Sequence, residues 1–359
     1  MLVRLSILTL LAMPAFAACA SSWSNGYAYC RMLTVDHTQV AATLSNFTVT
    51  VSAALPSAHV QNANCYDCIF TSDNAGATLL KWETESYASG ALVAHVLITS
   101  LSSSSDTLIY LFYGKAGVGS FQGGTLGSAW DANYVAIQHL NGAPSSAVDS
   151  VTGASATISN VTAATGEIDG AAGFNGTSSS IDIGHAGALM FAADFTLSAW
   201  FNSASSGYQV ILGNETGGNL QWIFAINAHV AGDIELWDQV GGYYAYTPYT
   251  GSQWQHAVCV RASGTLNCYV NGTVGTSASS STNFSAGTQD IYIGERAYTG
   301  FQEWFNGTID ELRMSNVARS PNWITTEYNN QKPGSTFINL GVEVTPGGTS
   351  HARHRVTQS

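Results

Sequence analysis

Charge is what this 359-residue chain has least of. Lys, Arg, Asp and Glu together make up 9% of it, Lys and Arg number only 11, and the formal net charge is −12. A chain so poor in cations has no basic patch to neutralise phosphates, which argues against nucleic-acid binding and an anionic membrane surface. Long apolar runs are scarce as well. Beyond the N-terminal leader nothing approaches the roughly 18–20 apolar residues that cross a bilayer. No segment sustains a 3.6-residue apolar period, so helices are not the main building material. Gly-x-Ser-x-Gly, His-Glu-x-x-His and Gly-Lys-Ser/Thr motifs are all absent, which removes the usual nucleophile elbow, zinc-protease helix and phosphate loop.

Ser, Thr, Gly, Asn and Ala dominate, and 45% of residues are hydrophobic, ample for buried cores. The length suggests two domains. The N-terminus reads as a secretory signal: Arg4, an apolar run Leu5–Met13, and Ala15-Phe16-Ala17 as a small-x-small cleavage site before Ala18. Acylation at Cys19 is the alternative, against which Phe16-Ala17-Ala18 lacks the expected Leu-like residue. The chain has six cysteines, an even number suited to disulfides in an exported protein. Fifteen pairings of six are possible. Sequence proximity favours Cys19–Cys30, Cys65–Cys68 and Cys259–Cys268. Cys65-Tyr66-Asp67-Cys68 could be a redox motif, but no βαβ pattern surrounds it; a zinc site would need a second ligand pair at suitable spacing, and none is present.

Gln253–Gly272 shows the strand pattern most plainly. Polar and apolar residues alternate on both sides of Ser263-Gly264, which predicts a β-hairpin with that pair at its tip. Counting outward sets Cys259 opposite Cys268 at a non-hydrogen-bonded pair, where side chains approach closest and a cross-strand disulfide fits. Two buried free thiols are the alternative. Six further alternating runs between Arg31 and Tyr113 lie at the spacing of an all-β sandwich. Gly114–Ser128 reads as a Gly-rich connector, and Pro321–Gln331 as a short helix capped by Ser320.

Trp254-x-His256-x-Val258 followed by Tyr269-Val270-Asn271-Gly272 resembles the central hairpin of laminin-G-like modules of the concanavalin A-like lectin/glucanase superfamily. Three more segments are similar to that family in its order: Phe174-Asn175-Gly176, Phe195-Thr196-Leu197-Ser198-Ala199-Trp200, and Phe305-Asn306-Gly307-Thr308-Ile309-Asp310-Glu311-Leu312-Arg313. The preceding region, with Trp82-Glu83-Thr84-Glu85-Ser86-Tyr87 and Tyr110-Leu111-Phe112-Tyr113-Gly114 among its matching pieces, resembles a bacterial domain of unknown function, number 2341. The Cys65/Cys68 pair departs from that pattern. The organisation expected is a signal peptide over 1–17, an N-terminal β-sandwich over 18–128, a concanavalin A-like jelly roll over 129–344 and a disordered tail over 345–359. The fold class is all-β.

The resemblance to glucanases poses a catalytic question. Retaining hydrolysis needs two carboxyls roughly 5–5.5 Å apart. In Glu167-Ile168-Asp169 the position for the second Glu of a Glu-x-Asp-x-x-Glu motif holds Ala172, and Asp310-Glu311 are adjacent, so on a regular strand they point to opposite faces. A non-enzyme is the expectation. The resemblance implies a structural calcium site, for which Asp149 and Asp310 are the matching positions; Val151-Thr152-Gly153 departs from the usual small polar run. The competing reading has Asp149 capping a turn and Asp310 pairing with Arg313. Trp237, Tyr243, Tyr244, Tyr246 and Tyr249, with Phe301, Glu303 and Trp304 on a second loop, supply aromatic faces for sugar rings. Gly241-Gly242 hides which side of the sheet Trp237, Tyr244 and Tyr246 take. The functional expectation is a secreted or cell-surface binding protein for glycans or a surface partner; a self-associating structural protein and a glycoside hydrolase are the alternatives.

Overall fold

The computed structural model describes residues 18–214, 221–285, 288–298 and 301–347. The signal-peptide segment 1–17 and residues 348–359 of the expected tail lie outside them. The architecture is the expected all-β one, a first β-sandwich followed by a concanavalin A-like jelly roll.

The first sandwich closes a four-stranded sheet on a three-stranded one. The four-stranded sheet runs Ile338–Val344, Tyr29–Val35, Thr107–Tyr113, Cys68–Thr71; the three-stranded one runs Leu44–Ala54, Ala91–Leu101, Lys81–Ala88. Period-2 alternation explains the burial. Leu33, Phe70 and Leu111 from one sheet meet Val49, Trp82 and Val96 from the other in a single core. Residues 18–26 form no strand. A Cys19–Cys30 disulfide ties them down, and Trp23 packs edge-on to Phe112 at 5.4 Å.

The jelly roll closes two larger sheets. The central path of one is Thr265–Val270, Gln255–Ala262, Phe195–Asn202, Asn306–Ser315, Gly170–Asn175. The other begins Tyr243–Pro248, Asp233–Asp238, Trp222–Ile226, Gln209–Gly213. Phe195, Phe201, Trp222, Phe224, Ile309 and Leu312 fill the space between them. The 255–270 hairpin has the expected register, Ala262 opposite Thr265 and Cys259 opposite Cys268, and a disulfide joins that pair. The third disulfide is Cys65–Cys68, so all three favoured pairings are present. Trp200 is buried, while Trp254 is only half-buried just ahead of its strand.

The largest departure is at the C-terminus. The sequence reading ran the jelly roll to residue 344. The strand Ile338–Val344 instead pairs with Tyr29–Val35, completing the edge of the first sandwich. The helix Pro321–Gln331 carries the chain back. Ser320 caps it by accepting from Trp323 N–H, as expected. Its Ile324 packs with Val258 and Val260 on the outer side of the jelly roll. Its Trp323 packs at a tilt against Phe47 of the first sandwich, ring centroids 4.9 Å apart. Asn330 both accepts from Thr50 N–H and donates to Thr50 C=O. The helix therefore fills the seam between the two sandwiches. Gly347 N–H reaches Ser21 C=O, which ties down the first residues of the expected tail.

Candidate functional site

Two places gather chemistry-bearing side chains. The first is the outer face of the sheet containing Asp233–Asp238 and Tyr243–Pro248. Trp237 lies directly opposite Tyr244, and Glu235 opposite Tyr246. Their alternating neighbours Ile234, Leu236 and Ala245 point into the core, so Trp237, Tyr244, Tyr246 and Glu235 share the outward side. The register settles the ambiguity left by Gly241-Gly242. His229 lies flat on Tyr244 at 4.1 Å and edge-on to Trp237 at 4.6 Å. Glu235 holds that imidazole in place, accepting from His229 Nδ1 and from the backbone N–H of His229 and Val230. Arg296 sits 5.7 Å from the Trp237 ring centre and pairs with Glu303 at 3.4 Å, which brings the turn bearing Trp304 to the border of the patch. Trp237, Tyr244, Tyr246 and Trp304 are all half-buried. The patch is a locked aromatic platform with a carboxylate and a guanidinium beside it, the composition that presents apolar ring faces and fixed hydrogen-bonding groups to a polyhydroxylated ligand. Tyr249 lies apart from it and packs on Phe201. The side chain of Phe301 is outside the described residues.

The second place is the seam. Here two β-bulges put acidic side chains where regular strands would not. From Ser198 to Trp200 the pairing strand takes two steps while its partner takes three, from Arg313 to Asp310, and Glu311 has φ +49°. Ile309, Leu312 and Met314 stay in the jelly-roll core, so the extra residue sends both Asp310 and Glu311 outward toward the first sandwich. The expectation that these neighbours face opposite ways is overturned by that bulge. A second bulge, between Thr84 and Ser86, falls at Glu85 on the facing strand.

Glu85, His95, His139, Glu311 and Arg313 meet there. His139 contacts Glu311 through Nδ1 and Glu83 through Nε2, the latter at 2.8 Å. Arg313 pairs with Glu311 at 2.5 Å and with Glu327 at 2.7 Å, and not with Asp310. Burial raises the Glu85 and Asp310 carboxyls well above the ordinary range, and the neighbouring Glu311 charge adds to both shifts. Burial also opposes charge on His139, but Glu311 and Glu83 outweigh it and raise its pKa well above the ordinary value. Glu311 is lowered, because His139 and Arg313 overcome its desolvation. An open cleft of about 500 Å³ lies over this cluster, lined by Glu83, Glu85, Tyr66, Trp82, Tyr87 and Phe121 among others. The Glu85 side chain has no solvent exposure and reaches away to His95.

Asp149 and Asp310, the positions expected for calcium, are each engaged by backbone N–H groups. Asp149 Oδ1 accepts from Val151 and Thr152 N–H in its own turn, and Asp310 Oδ2 accepts from Ile168 N–H. Among the described residues, no group of three or more His, Cys, Asp or Glu side chains able to hold a metal includes either. Of the acids weighed for hydrolysis, Glu167 and Asp169 do line one cavity, about 310 Å³, with Asn330 and Lys332; desolvation pushes Glu167 up to about 7. Sequence reasoning missed His95 and His139, since neither sits in a motif, and the bulges that aim Glu85 and Glu311 leave no mark in the alternation.

Residues 175–325 match the concanavalin A-like lectin/glucanases superfamily. The matched span contains Trp237, Tyr244, Tyr246 and Trp304 and excludes the first sandwich and the returning strand. No curated protein matches the chain. Among solved structures, the chain is similar to domain 4 of AbnA, an extracellular arabinanase of Geobacillus stearothermophilus in complex with arabinotriose: 20% identity, TM-score 0.45, 54% of this chain and 97% of that one. It is also similar to the binding domain of botulinum neurotoxin serotype D/C, at 11% identity and TM-score 0.45. A botulinum neurotoxin type C structure, described by cell entry dependent on two ganglioside molecules, shows 12% identity and TM-score 0.44. The chain covers 52% of each neurotoxin chain, and 56% of this chain is aligned. Among the described residues no helix is long and apolar enough to cross a membrane.

Proposed function

We propose that this chain is an exported, non-catalytic glycan-binding protein whose sugar contacts lie on the outer face of the jelly roll. Trp237, Tyr244 and Tyr246 supply the ring faces, Arg296 a polar group beside them and Trp304 the rim, while the buried Glu235 fixes His229 against Tyr244. The observation that carries the reading is the register that sets these three aromatics side by side, outward, on one sheet. The concanavalin A-like match over the same residues supports it, and three disulfides with no free cysteine suit an oxidising compartment.

A glycan-array and polysaccharide screen on the mature chain, with calcium and with chelator, tests the proposal. Trp237→Ala should weaken binding about 30-fold, the roughly 2 kcal/mol expected for a central aromatic anchor. Binding indifferent to chelator would leave calcium no part in recognition. Failure to bind any glycan would move the assignment to a protein-contacting or self-associating surface component. Hydrolysis is the second reading, on the cavity holding Glu167 and Asp169. It requires sugar release by the wild type that disappears in Glu167→Gln.

A further inference from the structure

The seam cluster has the organisation of a metal site. One ligand atom from each of Glu85, His95, His139 and Glu311 lies within 4.8 Å of the other three. Glu85 Oε2 is 2.8 Å from His95 Nε2 and 3.9 Å from His139 Nδ1, and His139 Nδ1 also meets Glu311 Oε1. Metal–ligand bonds of about 2.0–2.2 Å in a tetrahedron put neighbouring ligand atoms roughly 3.3–3.6 Å apart, a spacing that the 2.8 and 3.9 Å distances bracket.

The outward atoms of the same side chains are held. His139 Nε2 meets Glu83 Oε1, which also accepts from Trp130 Nε1–H at 2.8 Å. His95 Nδ1 meets Thr50 Oγ1 at 3.2 Å, and Glu311 Oε2 accepts from Arg313. Ligand imidazoles pinned from behind by a carboxylate or hydroxyl, and ligand carboxylates pinned by a cation, are the usual surroundings of a bound ion. An independent observation points the same way. Glu85 Oε1 is buried on a fully buried side chain and has no hydrogen-bond partner. An uncompensated carboxylate oxygen in that position is costly, and a cation held by both oxygens of this carboxylate would satisfy it.

We propose that Glu85, His95, His139 and Glu311 form a structural site for a divalent first-row transition metal, with zinc as its expected occupant. Two imidazoles and two carboxylates suit such an ion, whereas calcium would demand more oxygens. Four protein ligands fill a tetrahedron and leave no position for substrate, which makes the site structural. Its ligands come two from each side of the seam. Glu85 and His95 belong to the first sandwich; His139 and Glu311 belong to the Tyr134–Gln138 and Asn306–Ser315 region of the jelly roll. The ion would clamp the two units together, independently of any glycan.

The test uses the whole mature chain, stripped with chelator, titrated with Zn²⁺ and desalted, with bound metal counted by mass spectrometry. One equivalent per chain and a raised melting temperature are expected. Co²⁺ loading should give the intense visible absorption of a four-coordinate site. His139→Gln and Glu85→Gln should each weaken metal affinity at least tenfold, while His37→Ala, in the surface group Asp36/His37/Asp106, should leave the equivalent in place. No metal bound by the wild type, a six-coordinate cobalt spectrum, or an equivalent retained at full affinity in both His139→Gln and Glu85→Gln would overturn the proposal. The wild-type titration and spectrum stand even if a variant fails to fold.

Discussion

At the scale of single residues, the outer side of the jelly roll's 255–270 hairpin sheet is unusual in being polar and buried at once. His256 shows what that costs. It is fully buried beside Trp200, its Nδ1 has no partner, and desolvation lowers its pKa from 6.5 to about 4. The folded chain therefore refuses a proton that the unfolded chain accepts. Stability from this residue is complete above pH 6.5 and is lost as the pH falls toward 4. The loss is on the order of 3 kcal/mol, at 1.36 kcal/mol per unit. Urea unfolding from pH 7 to pH 4 should show the wild type losing more stability than His256→Gln over that window. An identical pH dependence for both would refute the assignment.

At the scale of elements, the seam helix and the two bulges decide how the molecule is assembled. Trp323 spans from the helix to Phe47, so Trp323→Ala should cost roughly 3–5 kcal/mol and expose the seam to protease before either sandwich unfolds. Limited proteolysis with mapping of the first cut would show it; a first cut inside a sandwich core would not fit. The same elements show what was legible in the sequence. Alternation fixed the hairpin at Ser263-Gly264 down to its register, because a buried face allows no one-residue slip. Ser320 followed by Pro321 announced the helix. The aromatic platform was half legible: its residues were found, but their common side became clear only through the Trp237–Tyr244 pairing. The seam cluster was not legible. A bulge is one extra residue whose effect depends on the partner strand's count, and His95 and His139 reach Glu85 and Glu311 only through long-range packing.

At the scale of the whole molecule, the chain is not two beads in series. Ile338–Val344 completes the first sandwich from the far end of the sequence. A chain truncated after Gln331 should therefore keep the jelly roll's cooperative transition while lowering or abolishing that of the first sandwich, as calorimetry would resolve. Equal loss of both transitions would mean that the two fold as one unit. By the same logic an isolated 18–128 fragment lacks an edge strand and leaves Tyr29–Val35 open to pairing with other chains.

That pairing also sets how the molecule carries force. Cys30 stands opposite Val344, and Gly347 is hydrogen-bonded to Ser21, so the two ends of the described chain leave from the same corner of one sheet. A pull applied between them runs through two adjacent antiparallel strands and bypasses the jelly roll. The load meets the ladder one hydrogen bond at a time, like a zipper. The sheet bearing Trp237 and Tyr244 stays slack while the tether opens.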